Sequence, residues 1–164
     1  MTERPLLIVD IDGVIADVTH RQHHLAGPRR DWDAFFGAAG HDPVLEAGAD
    51  AVRQADADGN RIVYLTGRPE RLRRVTESWL AQHELPVAPD CLIMRPHRDW
   101  RPAPDFKLQV VLDLAQSHTV VNLWDDDAAV VDAVQDAGFP ATVPEWTQPR
   151  NAGLIEAQDR LGRT

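Results

Sequence analysis

Four short stretches of this 164-residue chain carry residue types suited to work on a phosphate. Asp10 and Asp12 follow the apolar run Leu6-Leu7-Ile8-Val9, and Thr66-Gly67-Arg68 follows Arg61-Ile62-Val63-Tyr64-Leu65. Asp125-Asp126-Asp127 comes after a third run ending at Trp124, and Lys107 stands at the head of the amphipathic stretch before it. Carboxylates from two segments can share a hard divalent cation, and Mg²⁺ prefers one or two carboxylates with water and phosphate oxygens. Such a cation also offsets repulsion between the acids and an incoming phosphate. Taken singly, each stretch has a plainer explanation. Asp-x-Asp is common turn chemistry, Thr-Gly suits a loop or cap, and an Asp run can cap a helix and favour its dipole. A lone Lys107 is a solvated helix residue. All four in this order are hard to explain that way at once.

The elements that must position them alternate between strand and helix. Leu6–Val9 reads as a buried strand, because a strand covered on both faces need not alternate apolar with polar residues. A helix is expected from Asp42-Pro43 to Ala57, stopped by Asp58-Gly59-Asn60, then a strand at Arg61–Leu65. Pro69 suits the first turn of a helix running to about His83, with Leu72, Val75, Trp79 and Leu80 on its inner face. Cys91–Met94 is a third strand. After Pro96–Pro104 a helix opens at Lys107, with Leu108, Val111, Leu112 and Leu114 or Ala115 facing inward. Thr119–Trp124 is a fourth strand, Ala128–Ala137 a helix, and Phe139–Val143 a last strand. This order implies an α/β fold, a mainly parallel sheet with right-handed crossovers. In such sheets ligands bind beyond the carboxyl ends of the strands, where the four stretches lie. The chain reads as one domain, with a core over about 5–144 and a tail at 145–164, in which Asn151–Leu161 could form a helix.

Composition narrows the possibilities. An apolar fraction of 43% and a charged fraction of 26% suit a globular protein. No apolar run is long enough to cross a bilayer, and the N-terminus lacks the features of a secretory signal, so no membrane association and a cytoplasmic location are expected. A single cysteine, Cys91, excludes an internal disulfide framework and a four-cysteine zinc site. Seventeen basic against 26 acidic residues give a net charge of −9, which weighs against broad electrostatic binding of nucleic acid but leaves room for a local basic groove. His20, His23 and His24 lack the spacing of a helical zinc motif and are read as surface or substrate-side residues.

The chain resembles the haloacid dehalogenase-like (HAD) phosphohydrolases. Asp10-Ile11-Asp12-Gly13-Val14, Leu65-Thr66-Gly67, Lys107 and Asp125-Asp126 match that family's four motifs in order, over about Leu6 to Val143. The resemblance implies a Rossmann-like three-layer sandwich and an aspartyl-phosphate mechanism. Asp10 would be the nucleophile and Asp12 the acid that protonates the leaving oxygen and later activates water. Thr66 and the neighbouring amides would hold the phosphoryl group, and Lys107 would counter its charge. Mg²⁺ would be the cofactor, bound by Asp10, the Asp12 carbonyl, Asp125 and Asp126. The dehalogenase branch does not retain the second acid, so Asp12 favours phosphate ester chemistry.

Neither gap between motifs is long enough for more than short elements, so little or no cap is expected over the site. The chain also resembles the phosphatase domain of bacteriophage-type polynucleotide kinase/phosphatase. Arg21 stands eleven residues after Asp10, Arg68 follows Gly67, and Arg95 and Arg101 precede Lys107 by twelve and six residues, as in that pattern. These four arginines and Gly67 are the implied substrate-binding set, since guanidinium forks suit bidentate phosphate contacts. Trp100 could stack on a base or cover the sheet edge. No Gly-x-x-x-x-Gly-Lys phosphate loop is present, so a kinase half is not expected. The implied substrate is a 3′-phosphorylated DNA or RNA end. A small-molecule phosphatase such as a nucleotidase, a phosphoprotein phosphatase, and a noncatalytic phosphate-binding module are the alternatives.

Overall fold

Leu6–Val9 forms strand β1 at the centre of the sheet, and all four side chains are buried. Leu7 and Val9 belong to one core cluster, and Leu6 and Ile8 to another. Both faces of the strand are therefore covered, which is why its sequence shows no polar alternation. The structure is a computed structural model and describes residues 3–147 with Ile155, Glu156 and Arg160.

β1 pairs in parallel with β2 (Arg61–Pro69) on one side and with β4 (Val120–Trp124) on the other. β3 (Leu92–Arg95) pairs in parallel with β2, giving the order β3-β2-β1-β4. Helices α1 (Trp32–Gly37), α2 (Glu46–Ala57) and α3 (Arg73–Gln82) contribute Phe35, Phe36, Val52, Trp79 and Leu80 to the first cluster. Helices α4 (Ala103–Ala115) and α5 (Ala128–Asp136) contribute Phe106, Val111, Val130 and Val134 to the second. Each large aliphatic side chain so buried favours folding by about 1.5–3 kcal/mol. The three layers are those expected of the α/β fold. All four strands run the same way, so Asp10, Asp12 and Asp125, Asp126 and Asp127 follow the carboxyl ends of β1 and β4, while Thr66, Gly67 and Arg68 lie in the last part of β2 and Lys107 in α4.

Several details differ from expectation. Pro69 is extended, with ψ of 147°, and ends β2 rather than opening a helix; α3 starts at Arg73 after a 3₁₀ turn at Glu70–Leu72. That delay rotates the helix, so Val75 is exposed and Thr76 is buried in its place. Leu112 is likewise exposed rather than inward. α4 begins at Ala103, because Pro104 is tolerated in a first turn, and Lys107 sits a full turn inside the helix. Phe139–Val143 makes only a single parallel bridge, Thr142 to Trp124: Pro140 has no N–H to give a ladder. Segment 19–41 holds two 3₁₀ turns and the six-residue α1, with no inserted cap domain among the described residues. The helix expected over Asn151–Leu161 falls outside the described residues except at Ile155, Glu156 and Arg160. Among the described residues no helix is long and apolar enough to cross a membrane.

Candidate active site

The backbone at the carboxyl end of β1 fixes the first acid. The Asp10 N–H donates to the Trp124 carbonyl at 2.9 Å, tying the residue to the end of β4. The chain then turns within one tight loop, where the N–H groups of Ile15 and Ala16 both donate to the Ile11 carbonyl. Gly13 sits there at a φ of +81°, and a Cβ on it would lie 2.2 Å from Asp126 Oδ2. Glycine is thus required twice over, for the backbone conformation and for the approach of the β4 loop. Asp125 N–H donates to the Thr142 carbonyl, and Asp127 caps α5 by accepting from Ala129 N–H at 3.0 Å.

Lys107 Nζ lies 2.6 Å from Asp125 Oδ2 and 3.1 Å from Asp10 Oδ1, and all three residues are buried. Burial pushes the Asp10 carboxyl up to about 7, against the pull of the Lys107 ammonium. Burial also raises Asp125. The same burial would lower Lys107, but the two carboxylates outweigh it and hold the ammonium above its ordinary value. Oxygen atoms of Asp10, Asp125 and Asp126 all lie within 4.8 Å of one another. An all-oxygen donor set of that size fits a hard divalent cation, and a cation there would compensate the charge of the buried Asp10 and Asp125 carboxylates. Thr66 is buried at the end of β2, its hydroxyl accepting from Arg68 N–H at 3.1 Å. Gly67 lines the same recess as Asp10, Asp12, Thr66 and Lys107.

Asp12 has a different environment. Its Oδ1 receives Arg68 Nε at 2.9 Å and Nη2 at 2.6 Å, and Arg21 Nη2 at 3.0 Å. Burial would raise this carboxyl, but the Arg21 and Arg68 guanidiniums outweigh it and hold Asp12 at about 2. Both arginines also bind Asp42, which is buried: Arg21 donates Nε at 2.7 Å and Nη2 at 2.8 Å, and Arg68 donates Nη2 at 2.7 Å. His20 Nε2 meets Asp42 at 2.7 Å, and Trp79 Nε1–H donates to the Asp42 carbonyl at 2.8 Å. Arg21 lies over the Phe35 ring at 4.3 Å. Arg21, Arg68, Asp12 and Asp42 thus form one buried cluster beside Asp10.

Asp42 is the residue sequence reasoning missed. It reads as the acid before a proline at the head of a helix, and only the meeting of three distant segments gives it two guanidiniums. The other two arginines of the expected set are elsewhere. Arg95 is buried at the end of β3 over the Phe106 ring at 4.7 Å, and exposed Arg101 pairs with Asp99 at 2.6 Å. Trp100 is 59% exposed.

Residues 4–143 match the family model described as the polynucleotide kinase PNKP phosphatase domain. Human membrane-associated phosphatidylinositol transfer protein 1 is 46% identical over 48 residues, 29% of this chain; the chain spans only 4% of that protein's length. Among solved structures, a chain of the Pnkp1/Rnl/Hen1 complex superposes with a TM-score of 0.70 at 26% identity, covering 87% of this chain and 46% of its own length. The class C acid phosphatase from Bacillus anthracis gives a TM-score of 0.63 at 16% identity, covering 84% of this chain and 61% of that one, a likeness of fold.

Proposed function

The chain belongs to the phosphatase-domain family of polynucleotide kinase PNKP, within the HAD-like phosphohydrolases, and on that premise we propose that it is a Mg²⁺-dependent phosphatase acting on 3′-phosphorylated nucleic-acid ends. The observation that carries the reading is the meeting of Asp10, Lys107, Asp125 and Asp126 at one strand-end rim, with Asp12 two residues beyond Asp10. A phosphate-binding module has no use for a nucleophile with an acid beside it.

Asp10 attacks the phosphorus through a carboxylate oxygen, and the bond from phosphorus to the leaving oxygen breaks. Asp12 gives that oxygen its proton. A water then loses a proton to Asp12 and attacks the phosphorus, the bond to Asp10 breaks, and inorganic phosphate leaves. Lys107 and Thr66 hold the transferring group, and Gly67 lets the backbone approach it. Mg²⁺, held by Asp10, Asp125, Asp126 and the Asp12 carbonyl, would supply neutralisation of the phosphoryl oxygens. Arg21 and Arg68 keep Asp12 ionised, the state that accepts a proton in the second step. A phosphate monoester that enters as its monoanion places negative charge beside Asp12, raises its proton affinity and hands it the proton that Asp12 passes to the leaving oxygen in the first step.

The test is phosphate release, with Mg²⁺ and with chelator, from a 3′-phosphorylated oligonucleotide beside nucleoside 3′- and 5′-monophosphates. Metal-dependent release favouring the oligonucleotide is expected, and Asp10→Asn should abolish it in a protein that still folds. Preference for a mononucleotide would instead assign a nucleotidase, the reading that the net charge of −9 favours.

A further inference from the structure

Beyond the ends of β2 and β3, next to the catalytic recess, lies a cleft of about 280 Å³. It begins at Pro69, one residue past Arg68, and Pro69 is paired in register with Arg95. Its lining includes Trp32, stacked on Phe36 at 5.9 Å and 29°, and exposed Trp100. The volume is slightly below the roughly 300–1,000 Å³ of pockets that take drug-sized ligands, so it suits one flat ring system rather than several.

The polar side of the cleft is unfinished. Arg95 is 4% exposed, and its Nη1 donates to the carbonyls of Asp99 at 3.3 Å and Arg101 at 2.9 Å. Among the described residues its Nε and Nη2 have no hydrogen-bond partner. Those two nitrogens form one edge of the guanidinium fork, the edge that matches two oxygens of a single phosphate. A buried donor pair without acceptors is costly, and burial already lowers Arg95 from its ordinary value. The acids lining the cleft do not meet this demand. Asp33 pairs with Arg71, Glu70 with Arg73, and Asp99 chiefly with Arg101. Arg98, also on the wall, is exposed at a φ of +63° and makes no ion pair shown among the described residues.

We propose that this cleft binds a nucleotide of the substrate next to the 3′-phosphate, its base against Trp100 and Trp32 and its internucleotide phosphate on the Nε/Nη2 edge of Arg95. The inference rests on the end-processing reading above and adds to it the place where the polymer is read. Because both nitrogens are buried, the groups around them must shift for the phosphate to reach them. Stacking tolerates any base, so the cleft senses that a nucleoside precedes the phosphate and not which one. Mononucleotides would lack the internucleotide phosphate and lose the Arg95 contact.

The experiment compares a 3′-phosphorylated trinucleotide with versions lacking one base at a time, and with p-nitrophenyl phosphate as a substrate too small to reach the cleft. In wild-type protein, loss of one base near the 3′ end should raise KM roughly tenfold, as expected for one base–aromatic stack. Trp100→Ala should raise KM by a similar factor for the intact trinucleotide and add little once that base is missing. Arg95→Gln should show the same non-additivity with a methylphosphonate in place of the internucleotide phosphate; since Arg95 is buried, a melting curve accompanies it, and exposed Trp100 gives the variant that folds regardless. A wild-type KM indifferent to every base, or a Trp100→Ala effect equal on intact and abasic substrates, overturns the cleft while leaving the phosphatase reading intact. Turnover of p-nitrophenyl phosphate with none of the trinucleotide overturns both.

Discussion

Replacing Asp42 by Asn tests whether the buried cluster is held by charge. Asp42 Oδ1 accepts from Arg21 Nε and lies 2.7 Å from His20 Nε2, while Oδ2 accepts from Arg21 Nη2 and Arg68 Nη2 at 2.8 and 2.7 Å. An Asn can keep its oxygen toward Arg21 Nε. Its amide nitrogen then faces two guanidinium N–H groups, donor against donor, so two charge-assisted hydrogen bonds vanish. Each is worth about 1.5–3 kcal/mol, and breaking a buried pair costs about 3–5 kcal/mol in all. Against a total stability of about 5–15 kcal/mol the variant should stay folded in buffer. Its urea midpoint should fall by roughly 2 M, taking an m-value of about 2 kcal/mol/M. Phosphate release should fall as well, because Arg21 and Arg68 would no longer be held between two acids and the position of Asp12 would be lost. A midpoint shift under about 0.5 M, roughly 1 kcal/mol, would refute the idea that Asp42 balances the two guanidiniums.

Two further outcomes follow from local geometry and from burial. Gly48 on α2 has room for no Cβ: the atom would lie 2.1 Å from the Val14 carbonyl oxygen and 2.8 Å from Trp146 Nε1. Gly48→Ala should therefore lose about 1–3 kcal/mol to overpacking despite the better helix propensity of Ala, and a raised Tm would contradict this packing. In chelator, the Asp10 carboxyl binds its proton more tightly folded, at about 7, than unfolded, at about 3.9. Its contribution to stability is then present below pH 4 and lost as pH rises toward 7. Asp12, held at about 2, acts in the opposite sense but between pH 4 and 2, outside that window. Asp10→Asn should flatten the decline between pH 4 and 7 in urea titrations; an unchanged slope would mean that Asp10 is not desolvated as described.

β1 was legible because its apolar run ends in an acid and needs no alternation when both faces are covered, and β4 because its run, though only Leu123 is fully buried, likewise ends in acids. The motif spacing likewise gave the stretches that meet at the rim. What local sequence could not give was partnership across distance. Arg21 and Arg68 read as substrate ligands because guanidiniums suit phosphates, yet their observed partners are Asp12 and Asp42, and nothing around Asp42 distinguishes it from a helix-entry turn. Helix phase was similarly misread at Val75 and Leu112, because the starts of α3 and α4 depend on how Pro69 and Pro104 are used, and proline is compatible with either a strand end or a first helical turn.

The pairing of β1 with β4 has a consequence for how the protein is made. Most of the chain lies between Asp10 and Asp125, and the two meet only when β4 docks beside β1. A chain still being synthesised would have its nucleophile early but neither of the acids that complete the cluster, so hydrolysis reports completed folding and not merely the presence of the first motif. Until β4 arrives, β1 is an apolar edge with unpaired backbone groups, the kind of edge that recruits other chains. Slow or interrupted synthesis should therefore appear first as aggregation, and only afterwards as lost activity.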